Sequence, residues 1–194
     1  MSAVLAERLY SPEEYLALER AAETRSEYVD GYIYAMTGAS WAHSLIASNI
    51  SRSLGIQLLE RPCSVHIADL RVKAVAARSY RYPDITVVCG QPEFADPRFD
   101  TLTNPTVPIE VLSPTTEASD RGRKFAEYRG IPSLREYLLV SQDQPRIERY
   151  ARQAEGWLLT VAEGLEAQVR LDAIDCALDL TEVYHKALDT PAAE

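Results

Sequence analysis

YRYPDITVVC (residues 80–89) and PTVPIEVLSPTT (residues 105–116) each set a carboxylate on an apolar run. Asp84 stands directly before Ile85-Thr86-Val87-Val88, and Glu110 lies inside Val107–Leu112. Short apolar, β-branched runs of this kind predict strands covered on both faces. A carboxylate on such a strand is costly to bury without a partner. If the two strands are neighbours, Asp84 and Glu110 converge at one end of a sheet. They then form either a hard-cation site, whose oxygen ligands suit Mg²⁺ or Mn²⁺, or an acid/base pair. The structural alternative is that Asp84 caps a turn after Pro83 and Glu110 pairs with a buried arginine.

Working outward, Ser11-Pro12-Glu13-Glu14 opens a first helix, with Ser11 as cap and Pro12 at the first helical position. Asp30-Gly31 between Tyr28-Val29 and Tyr32-Ile33-Tyr34 predicts a hairpin. Leu45, Ile46, Ile50, Leu54 and Leu58 recur at helical spacing, which predicts a long amphipathic helix from Trp41 to about Leu59. The period then changes to two, and Val65, Ile67, Leu70 and Val72 read as strand. Ser119 to Arg129 reads as a second major helix, stopped by Gly130 and Pro132. EYLLVS, RIERYAR and GWLLTVAEG follow as strands, and Leu178 to Leu188 as a terminal helix; the final DTPAAE is expected to fray. This order predicts one α/β (α+β) domain spanning residues 1–194, with residues 8–188 ordered around one mixed sheet.

Composition narrows the function classes. No run approaches the ~18 apolar residues of a membrane span, and the N-terminus lacks a basic region followed by an apolar one. Cys63, Cys89 and Cys176 are odd in number and far apart, which argues against a disulfide framework or zinc site and fits a reducing cytoplasm. The net charge of −9 cuts against a broad DNA-binding surface, so any DNA contact must be local or assisted by a metal. LSPTT has no G-x-S-x-G elbow around it, which argues against a serine hydrolase.

YPDITVV followed by PIEVLSPTTEASDRGRKFAEYRGIPSLREYLLV resembles the Uma-type restriction endonuclease family, within the PD-(D/E)XK nuclease superfamily. The resemblance extends through SPEEYLALE, SEYVDGYIYAM, the helix carrying His43, and LDLTEVY. It implies a restriction-endonuclease-like core, a mixed sheet flanked by helices, that uses Mg²⁺ or Mn²⁺ to hydrolyse DNA. It assigns Asp84 to the Asp of the motif, Glu110 to its second acid, and Glu27 to an added metal ligand. Leu112 stands where the motif has lysine, and Lys124 on the following helix is the candidate replacement. His43, Asp120, Arg121 and Arg123 are candidates to support the site or to touch phosphate. A homodimer is expected by the same resemblance. A nuclease fold that has lost catalysis and serves as a binding module is the competing reading. For Lys124 and Asp120, spaced i and i+4, the bland reading is an exposed helix pair.

Overall fold

In a computed structural model, residues 8–74 and 78–189 are described; the DTPAAE tail lies mostly outside them. The core is a six-stranded mixed sheet with a smaller five-stranded sheet beside it.

Helix α1 (Pro12–Ala21) starts on the expected capping box, Ser11 and Glu14 each bonding the other's backbone. It leads into the hairpin β1 (Ser26–Val29) and β2 (Tyr32–Ala35). Asp30 and Gly31 both take positive φ, 47° and 96°, as a tight hairpin turn requires. A Cβ on Gly31 would also meet Leu9 Cδ2 at 2.9 Å. Tyr15, Tyr28 and Tyr80 stack into a small aromatic core between α1 and this sheet.

Helix α2 (Trp41–Gln57) is capped by Ser40 and buries Ile46, Ile50 and Leu54. The single strand expected over Val65–Val72 is in fact two. Strand β3 (Cys63–Ile67) joins the six-stranded sheet and β4 (Arg71–Ala74) joins the five-stranded one. Ala68, at a positive φ of 38°, makes the break and donates its N–H to the Asp84 carbonyl at 2.9 Å. The spacing of three between Ile67 and Leu70 shifts the alternation at this break.

Strands β5 (Ser79–Arg81), β6 (Ile85–Cys89), β7 (Thr101–Leu102) and β8 (Val107–Val111) follow. The six-stranded order is completed by β9 (Glu136–Val140), β10 (Arg146–Gln153) and β11 (Gly156–Glu163), giving β11-β10-β9-β8-β6-β3. Strands β6 and β8 are antiparallel neighbours, Ile85 opposite Ile109, while β8 and β9 run parallel. The central strands are covered on both faces, as their apolar runs predict. One face, including Ile85, Val87, Ile109 and Leu138, packs on α2. The other, including Val88, Tyr137 and Leu139, packs on Val72, Leu102, Tyr128 and Leu134.

The second major helix is real but not uniform. It comprises α3 (Glu117–Ser119), a π turn over Asp120–Lys124, and α4 (Phe125–Tyr128). The expected terminal helix is shorter: Leu178 and Asp179 end strand β13 (Cys176–Asp179), which pairs with β12 (Gln168–Leu171), and α5 spans only Leu180–Val183, with turns after it. Leu178, Leu180 and Val183 are all buried against α2, so they satisfy a strand and a helix equally well.

Cys63 and Cys89 form a disulfide, which corrects the expectation of unpaired thiols; Cys176 remains a free, buried thiol. The two are directly opposed in the β3–β6 ladder, a proximity that their separation of 26 residues hides in the sequence. Among the described residues, no helix is long and apolar enough to cross a membrane.

Candidate active site at the end of the six-stranded sheet

Strands β3, β8 and β9 finish at the end of the sheet where β6 begins, as their pairing directions dictate. A cavity of about 860 Å³ opens there, and Glu27, His43, Asp84, Glu110 and Lys124 all line it. They come from the first hairpin, α2, the position just before β6, strand β8 and the π turn. Parallel strands whose carboxyl ends meet a crevice are a common ligand position in α/β sheets.

Lys124 is the hub. Its ammonium lies 2.9 Å from Asp120 Oδ1, 3.1 Å from Glu110 Oε2 and 3.7 Å from Glu27 Oε1. The side chains of Lys124 and Asp120 are only 9% and 1% exposed, so they are not the solvated surface pair of the bland reading. Burial works to lower the Lys124 pKa, but the three carboxylates outweigh it and hold the ammonium well above its ordinary value. The π turn that carries both residues is a geometry found mostly as single turns and often at functional sites.

Glu110 shows the opposite balance. Burial raises its pKa, with Asp120, Asp84 and Glu27 adding to the rise against the pull of Lys124. Tyr128 donates its hydroxyl to Glu110 Oε1 at 3.3 Å while Lys124 binds Oε2, so both oxygens are oriented.

Asp84 is held from two sides. The Val111 N–H donates to its Oδ2 at 2.7 Å, and His43 Nε2 stands 3.2 Å from the same oxygen. Burial works to lower the His43 pKa, yet its hydrogen bond and charge interaction with Asp84 raise it overall.

Two supporting residues gave no sequence signal. Arg81 binds Glu27 Oε2 at 2.7 Å and clasps both oxygens of Glu127, at 2.8 and 2.9 Å. Lys124 and Arg81 together outweigh burial and keep the Glu27 pKa below its ordinary value. Tyr128, 18 residues beyond Glu110, reaches it through the fold alone. Apolar context marks a buried carboxylate in a sequence, but nothing there identifies which distant arginine or tyrosine will meet it.

Arg121 and Arg123 do not line the cavity. Arg121 pairs with Glu117 and Glu148, and Arg123 with Asp30 and Glu127.

Among the described residues, no three or more His, Cys, Asp or Glu side chains gather as a self-sufficient metal cage; Lys124 stands among the carboxylates instead. The donor chemistry nevertheless suits a hard divalent ion: Glu27, Asp84 and Glu110 all line the cavity and offer carboxylate oxygens.

Two uncharacterized proteins of the cyanobacterium Synechocystis are similar in sequence. The protein sll1609 is 35% identical over 170 residues, covering 87% of this chain and 96% of that one. The protein slr1290 is 40% identical over 150 residues, covering 77% and 78%. In structure, the chain is similar to a protein of Anabaena variabilis described as "a putative nuclease belonging to DUF820". The TM-score is 0.76 at 20% identity, over 92% of this chain and 99% of that one, which establishes the shared fold. The model of the Uma2 family, described as "Putative restriction endonuclease", matches residues 12–181, and with nearly the whole folded core inside that match, the chain belongs to the Uma2 family.

Proposed function

We propose that this chain is a divalent-metal-dependent endonuclease that hydrolyses DNA phosphodiester bonds. The observation carrying the reading is the meeting of Glu27, Asp84, Glu110 and Lys124, from four separate segments, on one cavity. Carboxylates this buried are costly to keep without a task or a partner.

Asp84, Glu110 and Glu27 would hold Mg²⁺ or Mn²⁺, which when bound supplies Lewis-acid charge to activate water and to offset the charge building on phosphate. Lys124 contributes a preformed, permanently charged ammonium to the phosphate oxygens, where charge accumulates as water adds and the ester P–O bond breaks. Its side chain needs no reorganisation, because the π turn and the surrounding carboxylates already fix it. Val111 and His43 orient Asp84, Tyr128 orients Glu110, and Arg81 orients Glu27.

The test is cleavage of labelled oligonucleotides and plasmid in EDTA, Mg²⁺ and Mn²⁺, with Glu110→Gln alongside. The reading expects cleavage only with metal, and a loss of ~100-fold or more in the variant. A metal-dependent rise in melting temperature without any cleavage would instead favour a binding module that has lost catalysis. Absence of both would overturn the metal site.

A further inference from the structure

We propose that the DNA entering this cavity is an unpaired strand, anchored by Arg52 and stacked on Trp41; this rests on the nuclease reading and names its substrate class.

The charge inventory of the cavity is the first argument. Lys124 and Arg52 are the lysine and arginine side chains that line it, and His43, the remaining basic group there, is paired with Asp84. Lys124 is engaged by three carboxylates. Arg52, exposed on the cavity-facing side of α2, makes no ion pair among the described residues. Arg121 and Arg123, which would have extended a basic track, are paired with acids elsewhere. Duplex DNA carries one negative charge per ~1.7 Å of axis, and duplex binders commonly neutralise ~6–10 phosphates. One arginine without an ion pair in the cavity, on a chain of net charge −9, is a sparse footprint for a duplex.

Size is the second argument. At about 860 Å³ the cavity is in the range of ~300–1,000 Å³ that encloses small ligands. That volume takes a short stretch of one strand, not a turn of double helix.

The third is the chemistry of the walls. Ser44, Ser48 and Ser51 put neutral hydroxyls on the same α2 face as Arg52, while Met36 and Ile67 add apolar surface to the lining. Ile67 is 57% exposed. Trp41, 68% exposed, directly follows the lining residue Ser40. Trp41 and Arg52 stand 11 residues apart on α2, about 16 Å along its axis, and aromatic stacking combined with cationic backbone contact is how proteins bind unpaired bases without reading their sequence.

The experiment is fluorescence anisotropy of a labelled 12-nucleotide single strand and its duplex, in Ca²⁺ across a salt series, with Mg²⁺ cleavage assays in parallel. The single strand should bind at least ~10-fold more tightly, with a slope of log affinity on log salt of about −1 to −2. Arg52→Gln should reduce that slope by ~0.7, the contribution of one single-strand phosphate contact. Trp41→Ala should weaken binding at least ~5-fold through lost stacking. Duplex binding that is equally tight, or binding indifferent to both substitutions, would overturn the inference. Equal cleavage of duplex and single strand would refute it while leaving the nuclease reading intact. Tight, Arg52-dependent single-strand binding with no cleavage would support it while the nuclease reading fails.

Discussion

Lys124 Nζ lies 3.1 Å from Glu110 Oε2, joining a π turn to the strand that precedes it by 14 residues. The pair shares its volume with Asp120, so the ammonium is both a structural counter-ion and the cation closest to the proposed chemistry.

Removing Lys124 should therefore cost stability as well as activity. Lys124→Ala leaves Glu110 and Asp120 buried without a cation, a loss of ~3–5 kcal/mol by comparison with other broken buried pairs. Glu110 can relieve part of this by taking up a proton, so the loss should be greater at pH 8 than at pH 5. Urea unfolding at the two pH values checks the sign. Cleavage should fall ~100-fold or more, and survival of cleavage would remove Lys124 from the mechanism.

Simple charge repulsion suggests that removing Asp84 should leave the metal-free protein as stable or more so. Its contacts predict the reverse. Asp84→Ala strips the Val111 N–H of its acceptor and His43 of its partner, at a cost of ~1–3 kcal/mol. Asp84→Asn keeps an oxygen for Val111 and should be much closer to wild type. Both should lose the Mn²⁺-induced rise in melting temperature. An alanine variant as stable as wild type would show that the Val111 contact contributes nothing.

Acid stability should depend on Asp100. Arg20 binds it through two nitrogens, each at 2.8 Å, and that hydrogen bonding holds its pKa well below the usual carboxylate range. A depressed carboxylate stabilises the fold above its unfolded pKa of ~3.9, and the contribution disappears as pH falls toward the folded value. Solvent reaches this pair and screens it, so Asp100→Asn should cost ~1 kcal/mol at pH 7. The difference between variant and wild type in thermal melts should shrink below pH 4. A difference that grows on acidification would contradict the linkage.

The Cys63–Cys89 bond should be measurable as stability. Its loop of roughly 27 residues corresponds to ~3.5 kcal/mol in the chain-entropy description of disulfides. Reduction by dithiothreitol should lower the melting temperature, and Cys63→Ser with Cys89→Ser should make the protein insensitive to reductant. No shift on reduction would mean that the ladder between β3 and β6 holds without the cross-link.

The proposed chemistry was legible where it coincided with local pattern. Asp84 and Glu110 stand out because one charge abuts an apolar run and the other sits inside one, and the expectation that their strands are neighbours is met across the 17 residues that separate them. What escaped reading depends on contacts remote in sequence. Arg81 meets Glu127 across 46 residues. The Thr101–Leu102 strand lies in a stretch rich in Pro, Asp and Asn and pairs parallel with β4, with nothing in its composition to announce a strand. The π turn escaped because five residues are too few to separate its wider period from that of an α-helix.

That π turn also bears on how the gene can change length. Widening one turn absorbs a surplus residue while the helix on either side keeps its phase. Phe125 can thus stay stacked on Tyr137, with ring centroids 5.7 Å apart, and Tyr128 can stay edge-on to the same ring. Loss of one codon within 120–124 should leave those aromatic contacts in place, whereas the same loss within α2 would turn its buried face out of register. Relatives with a shorter helix are therefore expected to align with their gap here, and each such gap would mark a chain in which Asp120 and Lys124 no longer share a turn of this width.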